Sequence, residues 1–155
     1  MRRYDREVKD WQEILAILDH CKICRLGMLV DGMVYIVPMN FGYSFDGKTL
    51  SLFFHSALEG KKISALRENA SISFEMDCAH QLISADKACA YSFAYESLMG
   101  QGRVQFLETD QEKLAALQQI MLHQTGQTFP ASDYNLAKVL LFKLIVEKIS
   151  AKKSH

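Results

Sequence analysis

Three absences in the sequence exclude broad classes of protein. The longest apolar runs are the length of strands, so none is long enough to cross a membrane, and we expect no membrane partner. Lysine plus arginine and aspartate plus glutamate number 18 each, which leaves no excess positive charge to favour nucleic acid. No internal repeat is present, and the 155 residues are predicted to form one domain over residues 1–155.

Familiar catalytic motifs are also missing. The sequence has no GxSxG nucleophile motif, no GxxxxGK[ST] phosphate loop and no HExxH zinc motif, so hydrolase and kinase functions lack a site. A GxG pair at Gly100 and Gly102 falls inside a predicted strand instead of opening a helix. It is therefore not a dinucleotide-binding fingerprint, and we interpret the two glycines as sites where a strand bulges or bends.

Cysteine is too scarce for a disulfide framework in a chain of this size. Met1 to Glu7 has no apolar core behind its charges, so we expect no secretory signal and a cytoplasmic location. Cys21 and Cys24 have CxxC spacing, but a structural zinc site needs a second ligand pair that the sequence lacks, and we predict no metal. A redox CxxC follows a strand and opens a helix, whereas here the helix comes first, which favours ordinary buried thiols over redox chemistry.

The first half of the chain has the pattern of a helix followed by a β-meander. Asp10 is a predicted N-cap for a helix that ends near Asp19 to Cys21. Asp31-Gly32 and Asp46-Gly47 are hairpin turns, and Pro38 predicts that its strand is interrupted or lies at an edge. The predicted strands are Ile23 to Val30, Met33 to Phe41 continued by Gly42 to Phe45, and the apolar run from Leu50.

The second half adds three predicted strands and one clear helix. Cys78 to Ala90 has the least pattern, and we predict a loop or partly helical connection there. Six strands and three helices in this order predict a mainly β (α+β) fold, an antiparallel barrel with helices covering its ends. The remaining predicted elements are a helix from Gly60 to Glu68, strands Ser71 to Asp77 and Tyr91 to Leu107, a helix opening at Asp110, a short helical turn within Asp133 to Lys138, and a strand Val139 to Ile149.

The stretch from Leu50 to Leu66 combines a strand, a loop of small residues and a helix that begins with two lysines. At a helix start the backbone N–H groups lack intrahelical partners and the dipole is positive, so Lys61 and Lys62 are unfavourable there unless an anion neutralises them. This combination favours a phosphate site. The alternative is two solvated lysines on an exposed first turn.

Four segments of the sequence resemble the FMN-binding split-barrel proteins, and more narrowly the nitroimidazole-resistance (Nim-like) branch of the pyridoxamine 5′-phosphate oxidase superfamily. The likeness extends from about Arg3 to Leu122, and the last third matches less distinctly. Its residues are Arg25-Leu26-Gly27, Tyr35-Ile36-Val37-Pro38-Met39-Asn40-Phe41-Gly42-Tyr43, Phe53-Phe54-His55-Ser56-Ala57 with Gly60-Lys61-Lys62, and Tyr95-Glu96-Ser97-Leu98-Met99-Gly100-Gln101-Gly102-Arg103-Val104.

The resemblance implies a six-stranded antiparallel split β-barrel with flanking helices and a homodimer that binds FMN at the subunit interface. It implies that Lys61 and Lys62 bind the FMN phosphate, that His55 and Ser56 lie beside the ribityl chain and phosphate, and that Ser97 reaches the flavin. The strand that would line the isoalloxazine ring comprises Tyr35, Ile36, Val37, Pro38, Met39 and Asn40. The Arg and His pair that the true oxidases use for pyridoxine phosphate is missing from residues 139–153, so vitamin B6 oxidation is not expected.

Two functions follow from the resemblance. The first is an FMN-dependent oxidoreductase that passes electrons to a small-molecule acceptor such as a nitroaromatic, a quinone or oxygen, with His55 as a candidate catalytic proton donor. The alternative is a flavin- or haem-binding module without turnover. In either case His55 could instead be a neutral histidine that hydrogen-bonds within the barrel mouth.

Overall fold

A computed structural model describes residues 4–154, so the first three residues of the N-terminal segment considered above lie outside it. Three α-helices and eight strands form the described part of the chain. The helices are α1 (Trp11–His20), α2 (Lys61–Glu68) and α3 (Asp110–Thr125). The strands are β1 (Glu7–Val8), β2 (Ile23–Val30), β3 (Met33–Asn40), β4 (Gly42–Phe45), β5 (Leu50–Ser56), β6 (Ser71–Ile83), β7 (Ser92–Phe106) and β8 (Leu140–Ser154).

The strands form one antiparallel sheet in the order β3-β2-β6-β7-β8-β5-β4, with β1 paired to β8. The sheet does not close, because β3 and β4 are its two ends, and the predicted split barrel with flanking helices is confirmed. The structure has eight strands in its described part where the sequence predicted six. The sequence pattern did not indicate the two-residue β1. The strand predicted from Met33 to Phe45 is divided at Phe41 into β3 and β4.

Local sequence signals account for the helix ends. The Asp10 side chain accepts hydrogen bonds from the backbone N–H groups of Gln12 and Glu13, as the predicted N-cap of α1 should. At the start of α3, Thr109 and Glu112 form a reciprocal capping box. Gly126 ends α3 in the left-handed conformation at φ 72°, which glycine adopts without strain.

Pro38 lies on β3, which pairs only with β2 in the described part of the chain, so the predicted edge position is confirmed. The predicted bulge at the two glycines is confirmed as well, because the pairing of β7 with β8 shifts register between Gln101 and Gly102. A Cβ atom on Gly102 would overlap the backbone of Ile145 on β8, so this close approach requires glycine.

The prediction of a loop over Cys78 to Ala90 is wrong for its first half. Strand β6 continues to Ile83 and forms a long hairpin with β7. The register shifts between Cys78 and Gln81, and Ala79 has a positive φ of 54°. This bulge breaks the alternation of side chains, and the residues beyond it are exposed on both faces, so no apolar period marks the strand.

The main core lies between the inner face of the sheet and helices α1 and α2. A smaller apolar cluster under α3 joins that helix to β8. No helix in residues 4–154 has the length and apolar character needed to span a membrane. The largest fully buried side chains of the main core include Phe41, Phe54, Phe142, Leu26, Leu52 and Met76.

Candidate flavin site

The open side of the barrel lies between β3 and the end of β5. Strand β5 extends three residues beyond its last pair with β4, which joins Phe53 to Gly42. The free edge of β3 approaches β5 on this side, and α2 follows directly from β5 through a four-residue loop. This open side, the split of the barrel, therefore brings together the edges of β3 and β5 and the start of α2.

Helix α2 begins without the usual neutralising groups. Its N-cap is Gly60, with φ at 139° and no capping side chain, and its first turn holds no acidic residue. Within the described residues neither Lys61 nor Lys62 forms an ion pair. The amides and two lysines thus present positive charge that no ion pair within residues 4–154 balances.

Lys61 leans across the split toward β3. Its Nζ atom lies 4.7 Å from the centroid of the Tyr35 ring, in cation–π geometry. The Tyr35 ring is half-buried and packs against the main core. The structure therefore brings together two residues from separate parts of the predicted site.

Ser56, the last residue of β5, carries an unexplained polar atom. Its side chain is 6 % exposed, and its Oγ is buried with no hydrogen-bond partner among residues 4–154. A buried hydroxyl without a partner costs free energy, so it is expected to meet a group that the chain itself does not supply. A phosphate or ribityl oxygen is such a group, and the donor and charge character of Ser56, Lys61 and Lys62 fits a flavin nucleotide.

His55 points the other way from Ser56, because neighbouring residues of a strand face opposite sides. It is exposed and pairs in register with Leu141 on β8, so it lies on the face of β5 that bears the apolar cluster under α3. Within residues 4–154 the His55 side chain forms no hydrogen bond, and its role stays a prediction.

The strand predicted to line the ring divides its side chains between two faces. Tyr35, Val37 and Met39 turn toward the core, whereas Ile36, Pro38 and Asn40 are exposed. Asn40 is the last residue of β3, and its Nδ2 donates to the Lys22 carbonyl at 3.3 Å and to the Gln124 Oε1 at 3.1 Å. Its bond to Gln124 holds α3 against the sheet. Because Asn40 is about 17 Å along β3 from Tyr35, which Lys61 contacts, it is separated from Lys61 and Lys62.

Ser97 lies on the outer face of the sheet, three strands away from β3. It lines a small cavity of about 320 Å³ with Asp77, His80, Tyr95 and Met99. At about 4.8 Å per strand it is some 14 Å from the β3 edge of the same chain. Ser97 and the lysine pair therefore do not meet within one chain.

The outer face next to Ser97 is apolar and open. A groove of about 630 Å³ runs across it between Arg25 and Lys148. Three of its lining side chains are large, apolar and exposed, namely Val34 (72 %), Ile36 (59 %) and Met99 (48 %). Exposed apolar patches of this kind mark interaction surfaces.

The two cysteines of the CxxC pair are both buried and free, at 1 % and 0 % exposure. Cys21 lies against Cys78 on β6, with 3.2 Å between the sulfur atoms. Burial raises the pKa of both the Cys21 and the Cys24 thiol well above the ordinary range, so both are protonated near neutral pH. Redox reactivity needs thiolates, and the structure agrees better with buried thiols.

A buried group near this pair was missed from the sequence. Glu96 on β7 is 5 % exposed, and it accepts hydrogen bonds from His20 at 2.7 Å and from Lys153 at 2.9 Å. Burial disfavours the charged form, but these two partners outweigh it and hold the pKa of Glu96 below its usual value. The group joins three elements that are distant in sequence, so no spacing pattern could have revealed it.

Comparison with known proteins supports a single family. The family model for pyridoxamine 5′-phosphate oxidase matches residues 10–153. A candidate 5-nitroimidazole antibiotic resistance protein from Bacteroides thetaiotaomicron is 35 % identical, with a TM-score of 0.81, over 95 % of this chain and 86 % of that one. A search of curated proteins gives no match.

Two more distant structures share the fold. The flavocytochrome Anf3 from Azotobacter vinelandii is 19 % identical with a TM-score of 0.78, over 100 % of this chain and 72 % of that one. A FAD- and haem-binding protein from Mycobacterium smegmatis is 19 % identical with a TM-score of 0.77, over 97 % of this chain and 74 % of that one. At this identity the likeness concerns the fold alone.

Proposed function

Because this chain belongs to the pyridoxamine 5′-phosphate oxidase family, we propose that it is an FMN-dependent oxidoreductase that reduces a small acceptor. The observation that carries the proposal is the buried, unpartnered hydroxyl of Ser56, which precedes a helix start with two unpaired lysines. These groups need an anionic, oxygen-rich ligand. A flavin supplies hydride and electron transfer when bound, and the protein supplies binding and orientation.

FMN suits this site because its phosphate is a monoester that carries close to two negative charges. Lys61 and Lys62 match that charge, and the free amides at the start of α2 add donors directed along the helix axis. Ser56 would donate its hydroxyl to a phosphate or ribityl oxygen. The edge of β3 from Tyr35 to Asn40 would then follow the ring, with its unpaired backbone groups as hydrogen-bonding partners.

The homodimer belongs to the same proposal. Ser97 is too far from the lysine pair to share a ligand with it in one chain, but it lies beside the exposed apolar groove formed with Val34, Ile36 and Met99. A second copy on this face would bury the apolar side chains and bring its own β3 and α2 toward Ser97. The site would then be completed by two chains, with one FMN at each end of the interface.

His55 is proposed as the proton donor of the reaction. Its exposure on β5 lets the imidazole exchange protons with solvent, and because it faces away from Ser56 and the proposed phosphate, it would serve an acceptor that binds on the other face of the strand. The acceptor is proposed to be a nitroaromatic, a quinone or oxygen. Reduction of a nitroimidazole would give the resistance function named for the Bacteroides relative.

We further propose that residues 1–155 form one flavin-binding domain and act in the cytoplasm. The continuous sheet and the core packed on its inner face support a single unit. Four free cysteines fit a reducing compartment.

Rapid-mixing kinetics separate this function from a module that binds flavin or haem without turnover. The FMN-loaded protein is reduced anaerobically and mixed with a nitroimidazole, a quinone or oxygen, and reoxidation is followed by the flavin absorbance. We expect at least one acceptor to reoxidise the protein more than tenfold faster than free reduced FMN, and His55→Gln to slow that step. Rates no faster than free FMN with all three acceptors would instead support the binding module.

A further inference from the structure

A second cluster of reactive side chains lies away from the lysine pair, where α1 ends against β6 and β7. His20 Nδ1 is 2.7 Å from Glu96 Oε2, and Cys78 Sγ is 3.8 Å from the same oxygen. These three donor atoms all lie within 4.8 Å of one another. Cys21 extends the cluster, with its sulfur 3.2 Å from that of Cys78.

The donor types match a borderline-soft metal. Thiolate, imidazole and carboxylate ligands together suit Zn²⁺ and Co²⁺, whereas Mg²⁺ and Ca²⁺ prefer oxygen alone. Ligands at about 2.0–2.3 Å from a tetrahedral ion lie roughly 3.3–3.8 Å apart. Three of the distances that join the four donors are 2.7, 3.2 and 3.8 Å, and His20 Nδ1 lies within 4.8 Å of Cys78 Sγ, so side-chain movement would complete the tetrahedral set with Cys21.

Charge and orientation also favour a cation in the cluster. Lys153 Nζ binds the Glu96 Oε1 atom at 2.9 Å, so the other oxygen, Oε2, faces the imidazole and the sulfur. A cationic partner on the outer oxygen fixes the carboxylate as groups around metal ligands commonly do. Two thiolates and one carboxylate would balance a divalent ion together with the Lys153 ammonium, which leaves no net charge beside the buried Glu96 carboxylate.

We propose that His20, Cys21, Cys78 and Glu96 form a binding site for one zinc-type ion per chain, separate from the flavin site. The ion would tie the end of α1 to the hairpin of β6 and β7, in which Cys78 and Glu96 are already paired in register. Its role is therefore structural, because all four protein donors are used and no position stays open for a reacting molecule.

The test uses full-length, tag-free protein with its flavin bound, kept reduced with a phosphine and stripped of metal by dialysis against a chelator. Calorimetric titration with ZnCl₂ is expected to give one ion per chain. Titration with CoCl₂ is followed by absorption, and the spectrum of the same flavin-loaded protein without cobalt is subtracted. We expect a sulfur-to-cobalt charge-transfer band and the strong visible bands of tetrahedral cobalt bound by thiolates.

Variants decide whether these residues are the ligands. Cys78→Ser should weaken zinc binding at least 100-fold and remove the cobalt charge-transfer band from that sulfur, since even groups outside the first ligands commonly change affinity 10–100-fold. His20→Gln should weaken binding at least tenfold, and because its side chain is 58 % exposed, it should not disturb the fold. Cys89→Ser, an exposed cysteine outside the cluster, is the matched control and should leave binding unchanged.

Two results would overturn the proposal. One is unchanged zinc affinity in both Cys78→Ser and His20→Gln, which would locate the ion elsewhere. The other is that the reduced wild-type chain binds no zinc at one ion per chain. This result counts against the proposal even if mass analysis finds that Cys21 and Cys78 formed a disulfide before reduction. Thermal melts of the metal-free proteins confirm that each variant is folded before its affinity is compared.

Discussion

Replacing both Lys61 and Lys62 by alanine should weaken FMN binding by roughly 150-fold while leaving the fold intact. Charge-assisted hydrogen bonds contribute about 1.5–3 kcal/mol each, and we take the lower end because Lys61 is exposed and Lys62 only half-buried. Two such contacts give about 3 kcal/mol, which converts to the stated factor. The free protein should be no less stable, because two cations are removed from the positive end of α2.

Flavin fluorescence titration measures this effect, with riboflavin as the decisive second ligand. Riboflavin lacks the phosphate, so its affinity should be the same for the wild type and the double variant. The FMN affinity of the wild type should also fall with added salt more steeply than that of the variant. Lys48→Ala with Lys113→Ala is the matched control, since it removes the same charge from an exposed lysine in the turn between β4 and β5 and a half-buried lysine on α3.

Unchanged FMN affinity in the double variant would refute the phosphate site. Equal loss of FMN and riboflavin binding would refute it too, because the lysines would then support the fold or contact the isoalloxazine ring instead of the phosphate. Loss of FMN affinity in the control pair would show that overall charge, and no specific contact, governs binding.

Three further predictions follow from buried or crowded positions. Ser56→Ala removes a hydroxyl without a partner, so it should raise the free energy of unfolding of the flavin-free protein by about 1 kcal/mol and yet weaken FMN binding about fivefold, measured by denaturant titration and fluorescence. Gly102→Ala should destabilise the protein by about 1–3 kcal/mol in the same denaturant titration, because the new methyl group meets the backbone of Ile145; a loss below 0.5 kcal/mol would contradict the packing. Burial lowers the pKa of His123 despite its hydrogen bond to the Cys21 carbonyl, so the unfolded chain binds the proton more readily, and stability should fall as the pH drops below about 6.5 toward the lowered value; His123→Gln should flatten that part of the pH–stability curve.

Local signals in the sequence carried much of the fold. The cap at Asp10, the turn at Asp31-Gly32 and the edge position of Pro38 each depend on neighbours within a few residues, and the structure has all three. The extension of β6 past Cys78 could not be predicted, because a bulge interrupts its alternation and its far end is exposed on both faces. Strand β8 also continues five residues beyond the predicted end at Ile149, because Lys152 and Lys153 interrupt the apolar alternation there.

The candidate site was predictable only in part. The strand, small loop and helix from Leu50 to Leu66 indicated an anion site from local order alone, and the unpartnered Ser56 hydroxyl adds an observation that the sequence could not give. The contact between Lys61 and Tyr35 joins residues 26 positions apart, which only the fold brings together. The cluster around Glu96 had no sequence signal, since His20 is distant in sequence from Cys78 and Glu96, which the hairpin of β6 and β7 pairs in register.

Titration of the purified protein with FMN, followed by the visible absorption spectrum, tests the central claim most directly. We expect the flavin bands to shift and saturate at one FMN per chain, with riboflavin binding more weakly than FMN. A spectrum that stays identical to that of free FMN at every ratio would contradict the account.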